Sequence, residues 1–274
     1  MSFKVKFWGV RGSVACPSPS YISFGGNTSC VEMSCDEHTL IFDAGTGIRM
    51  LGLQMVENNI RSADILLSHT HWDHINGFPF FSPAFIEGNQ FNIHAGHIDI
   101  EDGGIYKVFA GQMAQPFFPV PLEAMRSKLD FKNFKAGNTL SLGPFTIKTT
   151  ALNHPNGATG YRVEYDGKAA CYITDTEHVP GKFDKNILQL IQGADLVIYD
   201  STYTEAEFPS KIGWGHSTWE EGVRLCEKAG AKMMAVFHHD PTHDDRFMEK
   251  LEEQIRRRWA GAVVARENMT LRLT

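Results

Sequence analysis

Apolar and polar residues alternate from the start of the chain. Phe3, Val5 and Phe7 interleave with Lys4 and Lys6, the period-two pattern of a half-buried strand over 3–8. A Gly-, Pro- and Ser-rich loop over 11–26 and a turn at 25–29 precede paired strands expected at 30–35 and 39–42. Asp43-Ala44-Gly45-Thr46-Gly47 makes a tight connection into a helix over 48–58; its glycines suit close backbone packing better than a phosphate cradle. The apolar run 64–67 reads as a short buried strand, and 75–81 as the start of a helix. Further strands are expected at 90–95, 145–152, 159–165, 169–174, 196–199, 232–237, 262–265 and 270–273. Helices are expected over 184–192 and from Ser217, where Ser217-x-x-Glu220 resembles a capping box. Phe247, Leu251, Ile255 and Trp259 give a last helix its apolar face, with Asp244 and Asp245 at its start and Arg256, Arg257 and Arg258 at its end, matching the helix dipole.

Strands interspersed with helices place the chain in the α/β class. The stretch 97–135 is the least periodic; its Pro-stiffened apolar run from Met113 to Pro121 suits a pocket lid or dimer contact, or a loop packed on its own core. Linkers, repeats and low-complexity segments are absent from the pattern, so residues 1–274 read as one domain, with 97–135 as an insertion.

A chain of 274 residues can bury a substantial core. Its 42% hydrophobic and 21% charged residues are ordinary for a soluble enzyme, and no apolar stretch is long enough to span a bilayer. The opening residues read as a strand rather than a signal peptide, which points to the cytoplasm. Five scattered cysteines without a CxxC pair predict reduced thiols. A net charge of −6 argues against a long nucleic acid held on a basic face, though not against a small anionic substrate.

Candidate chemistry concentrates in Ser68-His69-Thr70-His71-Trp72-Asp73-His74, placed where a strand gives way to a loop. His69 and His71, two apart in an extended segment, point the same way and can share a cation, while Asp73 and His74 can reach a second one beside it. Imidazole with carboxylate suits zinc, manganese or iron. Three later strands each end on a polar residue: His154 after 149–153, Asp175 after 169–174, and the pair His238-His239 after 233–237. Singly, each could cap a turn or be a satisfied buried group; together they form a plausible set of distant partners.

These motifs, in this order, resemble the metallo-β-lactamase superfamily over nearly the whole chain. The resemblance implies a four-layer αββα sandwich of two β-sheets flanked by helices, with two divalent metal ions at one edge. It further implies that His69, His71 and His154 hold one metal, that Asp73, His74 and His238 hold the other, and that Asp175 bridges them. His239 is the alternative to His238. Asp200-Ser201-Thr202-Tyr203, Gly215-His216-Ser217-Thr218 and Ala229-Gly230-Ala231-Lys232 resemble the phosphodiesterase branch, which includes tRNase Z and the phosphoribosyl and nucleotide cyclic phosphodiesterases. By that likeness Asp200 and His216 form a proton-donating pair, and Asp73 also serves the reaction. His154 and Asp175 stand 21 positions apart, too close for the tRNA-gripping arm of long-arm tRNase Z. The expected activity is hydrolysis of a small phosphodiester, a cyclic nucleotide or cyclic sugar phosphate. A lactone, thioester or β-lactam hydrolase of the same fold, or a non-catalytic metal-bearing nucleotide-binding protein, is the alternative. Zinc is the expected metal, and a homodimer is compatible with the apolar insertion.

Overall fold

The structure, a computed structural model, describes residues 2–98 and 103–274. Residues 99–102, inside the 97–135 stretch, lie outside the described residues, as does Met1. One sheet is built from β1 (Phe3–Gly9), β2 (Cys30–Cys35), β3 (His38–Phe42), β4 (Ser62–Leu67), β5 (Gln90–Ala95) and β6 (Lys128–Asn133). The other contains β7 (Thr139–Leu142), β8 (Phe145–Leu152), β9 (Ala158–Tyr165), β10 (Lys168–Ile173), β11 (Leu196–Asp200), β12 (Met234–Phe237) and β13 (Ala262–Val264). The last strand, β14 (Thr270–Leu273), returns to the first sheet beside β1. Each sheet thus has seven strands, ordered β14-β1-β2-β3-β4-β5-β6 and β13-β12-β11-β10-β9-β8-β7.

The expected four layers are present. Alternation sends Phe3, Val5 and Phe7 of β1 inward, where they meet Tyr172 and Phe237 of the facing sheet among fully buried apolar residues. Phe42 stands at the centre of this layer, with its ring centroid 5.4 Å from those of both Tyr161 and Tyr172. On the outer face of the first sheet, α1 (Ile48–Glu57) and α3 (Gly104–Gln112) pack against Ile65, Leu67, Phe91 and Ile93. The outer face of the second carries α4 (Lys185–Ile191), α5 (Trp219–Ala229) and α6 (Asp245–Arg258).

Strand direction positions the site. β3 through β6 run parallel, as do β10 through β13. Their registers align Ile173 with Tyr199 and Asp200 with Phe237, so β10, β11 and β12 end side by side. The loops after β4, β10, β11 and β12 therefore gather at one rim, where parallel sheets place ligands.

Local chemistry overrides the expected pattern in three places. The helix expected over 75–81 is a single turn, α2 (Trp72–Ile75), followed by 3₁₀ turns at Phe78–Phe80 and Ser82–Phe85. Pro79 and Pro83 lack the amide hydrogen that a continuing helix needs. In the 97–135 stretch, α3 buries Ile105 and Phe109, and β6 adds a parallel edge strand beside β5. Finally, the cap of α5 is Thr218, whose hydroxyl accepts from the Glu221 amide at 3.2 Å; Ser217 instead bonds His178 at 2.8 Å and Tyr199 at 3.0 Å.

Because Thr218 is the only side chain among the described residues meeting that amide, Thr218→Ala is expected to cost about 1 kcal/mol in urea denaturation. An unchanged midpoint would show that the cap contributes nothing.

Candidate metal centre

The chain bends sharply as each strand reaches the rim. Asp43, Asp175 and His238 follow β3, β10 and β12 with φ of 61°, 58° and 62°, a left-handed conformation that Asp and His adopt more readily than most residues. Each bend turns its side chain toward a common point. Asp43 then organises the metal loop from beneath. Its carboxylate accepts from the Ser68 amide and hydroxyl at 2.7 Å each, from His74 Nδ1 at 2.7 Å and from the Tyr172 hydroxyl at 2.8 Å. Sequence reasoning placed Asp43 only in a tight turn; its position at the end of a strand, like that of Asp175, was the available signal. The glycines of that turn serve close packing: a Cβ on Gly45 would lie 2.3 Å from the Asp73 carbonyl oxygen.

Every residue expected at the site is brought together there. Potential ligand atoms of His69, His71 and His154 lie within 4.8 Å of one another, as do those of Asp73, His74 and His238. His154 Nε2 is 3.1 Å from His71 Nδ1, and His238 Nε2 is 3.3 Å from His74 Nε2. Asp73 Oδ2 stands 3.2 Å from both His74 Nε2 and His238 Nε2. Asp175 divides its oxygens between the groups. Oδ1 faces His69 and His154 at 3.6 and 3.7 Å, whereas Oδ2 faces His74 and His238 at 3.1 and 3.3 Å.

These separations suit a cation. Donors bound tetrahedrally at about 2.0–2.1 Å are spaced roughly 3.3–3.4 Å apart, close to what the histidines and carboxylates show. His69 Nε2 is buried with no hydrogen-bond partner, a costly state for a polar atom unless it ligates. The rings are also held from behind. His69 Nδ1 is 3.1 Å from Ser68 Oγ, His154 Nδ1 is 2.7 Å from the Gly215 carbonyl, and His238 Nδ1 is 3.0 Å from Thr202 Oγ1. Such bonds fix the tautomer and aim the other nitrogen inward. Two glycines make room: a Cβ on Gly12 would lie 2.4 Å from the His238 ring, and one on Gly215 2.4 Å from His154 Nδ1. Next to Gly12, the Ser13 amide donates to Asp73 Oδ2 at 2.7 Å.

Electrostatics reflect the crowding. Burial and the neighbouring His74 push His69 well below its ordinary pKa, and burial lowers His71 and His154 despite Asp175. Burial opposes charge on His74 as well, but Asp175, Asp73 and Asp43 outweigh it and raise that imidazole. Asp175 and Asp73 fall well below the carboxylate range because the imidazoles outweigh their burial. The donor set is thus poised to exchange protons for a divalent cation.

Beside the cluster, His216 Nδ1 donates to Asp200 Oδ2 at 3.0 Å and lies 3.7 Å from Asp175 Oδ1. Asp200 is fully buried and held by the Thr176 and Thr202 amides and the Thr202 hydroxyl. Burial disfavours the charged imidazole, yet the Asp200 carboxylate prevails and raises His216 to about 9. His239 turns away from the cluster: its Nε2 donates to the Ala265 carbonyl at 2.9 Å, and its ring packs edge-on to Phe24. His97 was not singled out in the sequence. Its Nε2 is 3.3 Å from Thr70 Oγ1, and burial with His71 nearby lowers its pKa to about 4.

A family profile described as the beta-lactamase superfamily domain matches residues 38–239. A ribonuclease Z from Streptococcus pneumoniae is 23% identical, with 72% of this chain and 78% of that protein covered. The metallo-beta-lactamase fold protein YhfI from Bacillus subtilis superposes with a TM-score of 0.74 at 17% identity, covering 99% of each chain. A diphosphatase from the PhnP family superposes with a TM-score of 0.71 at 18% identity, covering 99% of this chain and 98% of the other. The fold and the His/Asp cluster together mark a divalent-metal site.

Asp43→Asn keeps size and tolerance of the left-handed backbone, but presents an amide donor to groups that are themselves donors. Zinc affinity, measured by chelator competition, is expected to weaken about 10–100-fold. Unchanged affinity would show that Asp43 does not orient His74.

Proposed function

The chain belongs to the beta-lactamase superfamily, and from that premise we propose that it is a dinuclear metal-dependent phosphodiesterase for a small phosphodiester, a cyclic nucleotide or a cyclic sugar phosphate. His69, His71 and His154 would hold one cation, Asp73, His74 and His238 the second, and Asp175 would bridge them. Zinc fits this donor set, and manganese or iron can take the same ligands. Metal held by these residues would supply Lewis acidity that lowers the pKa of a water and offsets phosphate charge.

The rest falls to the protein. Asp73, anchored by the Ser13 amide, orients the attacking water by accepting its hydrogen. His216, whose Nδ1–H is committed to Asp200, offers Nε2 to the leaving oxygen and transfers a proton as the phosphorus–oxygen bond breaks. The His216–Asp200 pair beside Asp175 is the observation that carries this reading, because an alkoxide leaving a phosphodiester needs that proton.

The backbone between His154 and Asp175 supports a small substrate. It is a plain hairpin, β9 and β10 joined across Asp166 and Gly167, with no protruding arm. Ribonuclease Z among the relatives keeps an RNA end as a second candidate, which the net charge of −6 does not favour. We also read the chain as one domain, since a single inter-sheet core joins both sheets, and as cytoplasmic, since its five cysteines are free. Among the described residues, no helix is long and apolar enough to cross a membrane.

Bis-p-nitrophenyl phosphate, a cyclic nucleotide, a 3′-extended RNA and nitrocefin, compared on one metal-loaded sample, separate these readings; cleavage of nitrocefin alone refutes the phosphodiesterase. His216→Ala is expected to lower turnover on a poor alkoxide leaving group about 10²–10⁴-fold, and far less on an activated aryl ester. Equal losses on both would remove the acid role. Since His216 must be protonated, activity should fall as pH rises through its raised pKa of about 9. Asp200→Asn should move that limb to lower pH, and an unmoved limb would sever the pair. Asp175→Ala should lose metal; two zinc equivalents retained by elemental analysis would contradict the bridge.

A further inference from the structure

Beside the metal loop, a cavity of about 510 Å³ opens between the segment 70–80 and α3 with the loop that follows it. Thr70 and Trp72, the two chain neighbours of His71, form one edge, so the cavity adjoins the loop that carries His71. Four aromatic rings line it: Trp72, Phe80, Phe117 and Phe118. Trp72 and Phe117 are 83% and 82% exposed, the two most exposed large apolar side chains among the described residues. Phe80 and Phe118 are fixed edge-to-face at 5.7 Å. Two amides, Asn76 and Gln112, interrupt the apolar wall, and Gln112 Nε2 donates to the Ile75 carbonyl at 3.0 Å. Among the described residues, no charged side chain contributes to the lining.

That lining discriminates among occupants. A second phosphate or other anion would lose its water and meet no counter-charge. An alkyl chain would fill the space but offer the amides nothing. A flat heterocycle has a π face for the rings and a hydrogen-bonding edge for the amides, and base–aromatic stacking is strong and tolerant of base identity. The volume lies within the usual range of small-molecule sites.

We propose that this cavity receives the nucleobase of the substrate, stacked on Trp72 and Phe117, while the phosphodiester lies at the metal centre. The proposal rests on the phosphodiesterase reading above and narrows it, favouring a nucleotide over a sugar phosphate. It also gives the insertion a role: the loop after α3 supplies Phe117 and Phe118 as one wall of the specificity site.

The metal-loaded full chain is assayed on a 3′,5′-cyclic purine nucleotide and on the matched abasic ribose cyclic phosphate, as wild type, Phe117→Ala and Phe117→Trp. Both substitutions fall on an exposed side chain and leave the core intact. In the wild type, kcat/KM should favour the base-bearing substrate by about tenfold or more. Phe117→Ala should reduce that ratio about tenfold, chiefly through KM, and Phe117→Trp should restore it. Equal kcat/KM for the two substrates in the wild type, or a ratio unmoved by Phe117→Ala, overturns the stacking while leaving phosphodiester cleavage standing. Calorimetric titration with a nucleoside 5′-monophosphate separates the opposite failure. If no phosphodiester is cleaved, yet the monophosphate binds and Phe117→Ala weakens it about tenfold, the base subsite stands and the reaction falls. Absence of monophosphate binding overturns the subsite. So does a wild-type dimer in light scattering that Phe117→Ala dissociates, which would assign this face to a second copy of the chain.

Discussion

Asp175 is almost completely buried, yet it faces His69 and His154 with one oxygen and His74 and His238 with the other. So many ionisable groups withdrawn from water need a compensating charge, because desolvation of each is worth several kcal/mol. Protons supply part of that compensation, as the raised His74 shows. They leave His69 Nε2 without a partner. Divalent metal bound beside Asp175 would satisfy both demands, and much of the surrounding framework is legible as support for such a site. Asp43, Thr202 and the Gly215 carbonyl aim the imidazoles, and Gly12 and Gly45 let backbone approach where a Cβ would collide.

The two sheets make this possible by topology. Parallel strands bring Asp175, Asp200 and His238 to adjacent strand ends, although they are distant in sequence. A tight apolar layer between the sheets, with Phe42 against Tyr161 and Tyr172, fixes one rim relative to the other.

Much of this was readable from the residues. His69, His71, Asp73 and His74 declare themselves by local spacing, and His154, Asp175 and His238 by ending apolar runs that had to be strands. The choice between His238 and His239 could not be settled from spacing, because adjacent residues at a strand end face opposite ways and the left-handed turn at His238 decides which one enters the cluster. Asp43 was hidden because a lone carboxylate in a Gly-rich turn has the same pattern as an ordinary turn residue. The cap on α5 shifted from Ser217 to Thr218 since Ser217 found buried partners in His178 and Tyr199. In the 97–135 stretch, α3 spans only Gly104–Gln112 and carries two glycines, so its periodicity is weak, and its burial against β5 and β6 is a tertiary effect.

Anomalous diffraction at the zinc absorption edge from crystals of the zinc-loaded protein tests the central claim most directly. Two peaks are expected, about 3.5–4 Å apart, one among His69, His71 and His154 and the other among Asp73, His74 and His238, with Asp175 between them. A single peak, or two peaks that Asp175 does not contact, would contradict a bridged dinuclear centre.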